Sequence, residues 1–192
     1  EAGTPVWIAG STHAGEEEII LDAHQQLTTE HPNLVLILAP RRIERVEEVV
    51  TLLKKKNISF TLRSLLEHAK TVILLDTMGE LAKVYSLGQV AFIGKSLIKP
   101  GGGHSLIEPL SYGLPVMHGP FVENIGHVAD KAQALGLAIP LKDSKGIKEK
   151  VHSLLENENL RQELAEKALS FTTEQQGASE KMAETITKIL TS

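Results

Sequence analysis

The stretch VWIAGSTHAGEEEIILDAHQQLTTEHPNLVLILA, residues 6–39, decides the fold. It opens on an apolar run, Val6-Trp7-Ile8-Ala9, and passes through a polar turn holding Ser11, Thr12 and Gly15. Residues 16–31 then place Ile19, Ile20, Ala23 and Leu27 at helical spacing, with Glu16, Glu17 and Glu18 at the positive end of the helix dipole. After Pro32-Asn33, residues 34–39 form a continuous run of β type. Strands that are apolar throughout are buried on both faces, and strand–helix–strand at this spacing is a right-handed parallel unit.

The alternation continues outward. Residues 43–56 read as a helix with Val46, Val49, Val50 and Leu53 on one face, and 58–62 as a weaker third strand. Residues 71–75 form a strand ending at Asp76, 79–87 a short helix, and 90–93 a strand ending at Gly94. A glycine-rich loop leads to a helix at 105–112, a sixth strand at 115–118, a helix over 124–136 and a last strand at 138–141. From Ser144 the pattern is helical, carried by Ile147, Val151, Leu154, Leu155, Leu160, Leu164 and Ala168. Gly177 should interrupt it, and Met182, Ile186, Ile189 and Leu190 close it. The expected fold class is α/β: one Rossmann-like, doubly wound parallel sheet over 1–192 with extra C-terminal helices as a tail over about 144–192. No repeat, low-complexity segment or linker divides it.

Composition narrows the function. The 192 residues are 42% hydrophobic and 23% charged, as in ordinary globular domains. With no cysteine, disulfides, thiolate zinc sites, Fe–S clusters and cysteine nucleophiles are excluded. A net charge of −4 and only 4% aromatic residues argue against a nucleic-acid partner. No apolar run approaches the roughly 20 residues that span a bilayer. Starting at Glu1 and entering a strand within a few residues, the chain reads as an excised piece with no leader of its own. A processed whole protein is the alternative.

In such sheets ligands bind beyond the carboxyl ends of the strands. The first end, Gly10 to Glu16, offers hydroxyls and a helix N-terminus to an anion, but it is neither GxGxxG nor a P-loop. The plainer alternative is a tight turn with Ser11 or Thr12 near the cap. The second end carries Arg41 and Arg42 close to a helix start, where cations oppose the dipole. Either an anion recruits one of them, or they pair with Glu44, Glu47 or Glu48. At the fourth, Asp76 can cap the next helix. There Gly79 lets a flat base lie against the backbone, and Met78 offers soft apolar contact. The fifth end is the most specific: Gly101, Gly102 and Gly103 precede a short helix and form an anion nest. His104 and Glu108, four apart, would share a helix face, with Glu108 accepting from ribose hydroxyls or simply pairing with His104. A metal held by His13, His104, Glu108 or His118 lacks diagnostic spacing, and surface roles are expected for His24, His31, His68, His127 and His152.

Together and in this order, the segments at 10–17 (GSTHAGEE), 39–46 (APRRIERV), 76–81 (DTMGEL), 102–109 (GGHSLIEP), 113–116 (GLPV) and 119–124 (GPFVEN) resemble the C-terminal half of the 3-deoxy-D-manno-octulosonic acid (Kdo) transferases. The likeness covers roughly residues 5–140. Two positions depart from the family's pattern: Ser105, where Asn is usual, and Lys95, near which a small residue is usual.

The resemblance implies the C-terminal half of a GT-B glycosyltransferase, binding CMP-Kdo as donor. The acceptor, a lipid A precursor of lipopolysaccharide, would be met at the cytoplasmic face of the bacterial inner membrane. The catalytic carboxylate would lie on an N-terminal acceptor domain absent from this chain, so no catalytic residue is expected here. The reaction would invert the anomeric centre without metal or other cofactor, and the isolated piece, soluble by itself, would be inactive. On that basis Gly102, Gly103, His104 and Ser105 are expected at the phosphate with Arg41 assisting. Met78 and Gly79 are expected at cytosine, Glu108 at the ribose, and Asn124 at phosphate or sugar. The alternatives are a GT-B enzyme using a UDP-sugar, such as an N-acetylglucosaminyltransferase or a UDP-GlcNAc 2-epimerase, and a non-catalytic nucleotide-binding module.

Overall fold

The computed structural model describes residues 3–65 and 70–190, with side chains described as far as Gln175. His68 and the side chains of Met182, Ile186, Ile189 and Leu190 lie outside that description. Seven parallel strands form one sheet: β1 (Val6–Thr12), β2 (Val35–Pro40), β3 (Phe60–Leu62), β4 (Val72–Leu74), β5 (Val90–Ile93), β6 (Val116–His118) and β7 (Ala138–Pro140). Their order is β3-β4-β2-β1-β5-β6-β7. The chain winds outward from β1 on one side, then returns past it to begin the other half at β5. The direction of winding therefore reverses between β1 and β5, where crevices form beyond the carboxyl ends.

The apolar runs sit where their pattern places them. Trp7, Ile8 and Ala9 of β1, Leu36 and Leu38 of β2, and Val90, Ala91 and Phe92 of β5 have no solvent exposure. Helices α1 (Glu16–Glu30), α2 (Val46–Lys55) and α6 (Ser144–Glu156) add Ile20, Leu21, Leu27, Val49, Leu53, Ile147 and Val151 to the same core. Burying each such side chain contributes about 1.5–3 kcal/mol. Helix α1 packs on α2 and α6, and α7 (Glu158–Leu190) packs on α6 and on the short α4 (Ile107–Leu110).

Several boundaries depart from the spacing. The helix expected over 79–87 is one α-turn, α3 (Leu81–Val84), tightening into a 3₁₀ turn at Tyr85–Leu87. The helix expected over 105–112 shrinks to α4, with Pro109 in its first turn, where its missing N–H costs nothing. α5 (Gly126–Ala134) begins late because the Asn124 amide donates sideways to the Gly102 carbonyl, 2.9 Å away. Gly177 does not interrupt α7, whose backbone runs unbroken through it. One internal glycine costs only about 1 kcal/mol. The caps also differ: α1 is capped by Gly15, while Thr12 Oγ1 donates to Glu17 Oε1 at 2.9 Å.

Candidate functional site: a cleft at the sheet's turning point

The ends of β1, β2 and β5 open into one cleft. Its inner part is lined by Ser11, Arg41, Gly79, Tyr85, His104 and Glu108. A continuous lobe, sharing Ser11, Arg41 and Gly79, runs between Pro40 and Met78. Eight of the nine expected site residues lie in the cleft or on the loop that frames it. Arg41, Met78, Gly79, His104, Ser105 and Glu108 line it, and Gly102 and Gly103 precede His104 directly. Asn124 stands apart, in a separate depression with Lys99, Gly101 and Gly102.

The cleft is held open by a buried carboxylate. Glu16 is 1% exposed. Its Oε2 accepts from the amides of His13 (2.9 Å) and Lys95 (2.8 Å), and its Oε1 from those of Ser96 (2.8 Å) and Leu97 (2.9 Å). Four backbone donors on one carboxylate tie the turn after β1 to the loop after β5 across the reversal point. Its neighbour Glu17 takes Arg45 as a bidentate partner, at 2.6 and 3.2 Å. Arg45 thus forms the structural ion pair, also reaching Glu48. Among the described residues Arg41 and Arg42 form none, so the alternative pairing with Glu44, Glu47 or Glu48 does not occur. Arg41 turns into the cleft.

The glycine loop works differently from its reading as a nest. The Gly102 amide donates to the Phe121 carbonyl (3.0 Å) and the Gly103 amide to the Lys95 carbonyl (2.8 Å). Both donors are spent inside the protein. The glycines supply conformation instead: Gly103 has φ +74, and a Cβ there would strike Ile125 at 2.7 Å. The amides of His104 and Ser105, just ahead of α4, find no acceptor among the described residues, and both residues line the cleft. Because α4 starts only at Ile107, His104 and Glu108 do not share a helix face.

His104 pairs with His13 instead. Their Nε2 atoms are 3.0 Å apart and the rings stack at 5.3 Å between centroids. Burial, then the neighbouring His13, Arg41 and Lys95, hold the His104 pKa at about 4. Burial also lowers that of His13. Both rings are neutral at pH 7, and the positive charge lining the cleft is Arg41, with Lys95 near the two rings. Glu108 is exposed at the rim. With burial, it pushes the Tyr85 phenol well above its ordinary range, so Tyr85 keeps its proton. Above Gly79, at φ +77, a Cβ would meet nothing within 4 Å, so the floor there is bare backbone facing open space.

Other expectations change. Asp76 does not cap a helix: it accepts from the Ser64 amide at 2.9 Å. His118 is buried on β6, bonded to the Gly119 carbonyl at 2.7 Å and away from His13 and His104. His24 is a core residue, 1% exposed. Tyr85 was not legible as a cleft residue, and the central role of Glu16 was hidden in a run of three acids that the helix dipole already accounts for.

The model of the glycosyl transferases group 1 matches residues 11–171, and the chain belongs to that family. Among its relatives are the 3-deoxy-D-manno-octulosonic acid transferases of Haemophilus influenzae, 37% identical over 182 residues (93% of this chain, 42% of the relative), and of Aquifex aeolicus, 33% identical over 150 residues (77% and 41%). The chain spans about two fifths of the length of these relatives. Its structure matches the C-terminal CMP-Kdo binding domain of WaaA from Acinetobacter baumannii with a TM-score of 0.84 and 31% identity, covering 88% of this chain and 90% of that one. The GT-B C-terminal fold and the resemblance to the Kdo transferases that the motifs carried are thus both borne out.

Proposed function

We propose that this chain is the donor-binding domain of a Kdo transferase and that its cleft holds CMP-Kdo. The observation that carries this is the meeting of two open amides, of His104 and Ser105, with the Arg41 guanidinium at the point where the sheet reverses. When the donor's glycosidic bond breaks, charge accumulates on the departing CMP phosphate. Preorganised N–H groups and a guanidinium stabilise that charge without reorganising at the moment of reaction. The phosphate sits against His104, Ser105 and Arg41, with Gly102 and Gly103 shaping the loop beneath it. Cytosine lies on the bare floor at Gly79 beside Met78, and Glu108 takes the ribose hydroxyls. Asn124, whose side chain covers Gly102, takes the phosphate or sugar edge. A lipid A precursor is the acceptor, presented at the cytoplasmic face of the inner membrane. Among the described residues no helix is long and apolar enough to cross a membrane. The reaction inverts the anomeric centre, uses no metal, and draws its general base from another domain.

Calorimetry tests the site directly. CMP should bind in preference to UMP, and Glu108→Ala should weaken CMP by about tenfold while leaving inorganic phosphate unaffected, the loss of one charge-assisted hydrogen bond. Equal losses for both ligands would sink the ribose assignment, and preference for UMP would move the protein to the UDP-sugar transferases.

A further inference from the structure

A second group of ligating side chains lies where the carboxyl end of α1 meets α6. His31, just past α1, and His152 of α6 face one another with Nε2 of His31 3.0 Å from Nδ1 of His152. Glu30 Oε2 lies 3.0 Å from that same Nδ1. Lys148 Nζ holds the other Glu30 oxygen at 2.6 Å, and a Glu156 oxygen is 3.8 Å from His31 Nδ1.

We propose that Glu30, His31 and His152 bind one divalent transition-metal ion of the zinc class, linking α1 to α6. Two imidazoles and a carboxylate are a known donor set for zinc, with the fourth position left to water. With bonds of about 2.0–2.1 Å, tetrahedral donors sit about 3.3 Å apart. The 3.0 Å contacts need open by only a few tenths of an ångström, and all three donors already lie within 4.8 Å of one another. The single Nδ1 of His152 faces both His31 Nε2 and a Glu30 oxygen at 3.0 Å, so the three donor atoms already converge. A cation satisfies all three lone pairs at once. The carboxyl end of α1 has no basic residue in its own last turn and draws its positive charge from outside, Lys148 of α6 holding one Glu30 oxygen and leaving the other to the ion. Glu156, near His31 Nδ1, stands where an outer carboxylate orients a ligating ring. The His13–His104 pair has no such third donor; among the described residues Glu30, His31 and His152 are the one group that does.

Calorimetry with zinc chloride and the 192-residue chain, at pH 7.5 in a non-coordinating buffer, tests this. One zinc per chain should bind in the micromolar range, and zinc should raise the melting temperature. His31→Ala and His152→Ala should each weaken binding at least about tenfold and abolish the thermal shift, with unchanged circular dichroism. Glu30→Gln, conservative and exposed, should weaken binding too. No heat up to about 100 µM zinc would overturn the proposal. So would uptake that survives His152→Ala and vanishes with His104→Ala.

Discussion

At the scale of single residues, His24 shows how far an environment overrides a residue's usual role. Trp7 Nε1–H donates to its Nδ1 at 3.2 Å, and its Nε2–H donates to the Thr71 carbonyl at 2.9 Å, which fixes one neutral tautomer. Burial lowers its pKa from 6.5 to about 4. Unfolding releases the ring to its ordinary value, so between pH 6.5 and pH 4 the unfolded state binds the extra proton. Stability from this group is complete above pH 6.5 and is lost as the pH falls to about 4, by about 3 kcal/mol in all. Urea denaturation across this range should show the loss, and His24→Gln should flatten it while lowering stability at pH 7. The sequence places His24 within a polar stretch of α1 and so gives no sign of this. Its partner, Trp7, sits on a strand whose neighbours only the fold supplies. The same holds for Gly102 and Gly103: a glycine run announces an unusual backbone, but which carbonyls consume its amides depends on Phe121 and on Lys95.

At the scale of elements, the strands were legible because each is a short unbroken apolar run, a pattern that burial on both faces imposes directly. Helix ends were less so, since they are set by sideways bonds such as Asn124 N–H to the Gly102 carbonyl. The tie between the turn after β1 and the loop after β5 rests on Glu16, and it reaches further than the four amides it holds. The carbonyl of Lys95, one of the residues so anchored, accepts from the amide of Gly103, the residue just before the open amides of His104 and Ser105. Glu16→Gln puts an NH₂ group against two backbone donors. It should cost about 3 kcal/mol in urea unfolding and weaken CMP binding, although residue 16 touches no ligand. Unchanged affinity in a destabilised variant would show that the two loops are not coupled in this way.

At the scale of the whole molecule, the sheet order places the cleft and the family motifs populate it, while the proposed assignment leaves the general base to another domain. The cleft offers anion donors, a bare floor and a rim carboxylate, all suited to holding a leaving group. The isolated chain is therefore expected to bind CMP yet transfer no Kdo to a lipid A precursor, and a radiolabelled transfer assay would reveal the contrary. The stacked pair of His13 and His104 bridges the two halves of this cleft, and its protons obey a strict count. Two neutral rings joined Nε2 to Nε2 share a single hydrogen, so they are always opposite tautomers. The ring that donates from Nε2 has a bare Nδ1, and the ring that accepts there carries its single hydrogen on Nδ1. Whatever fixes the tautomer of one ring dictates that of the other, so occupancy beside His104 is transcribed at His13 by a proton alone, with no heavy atom moved.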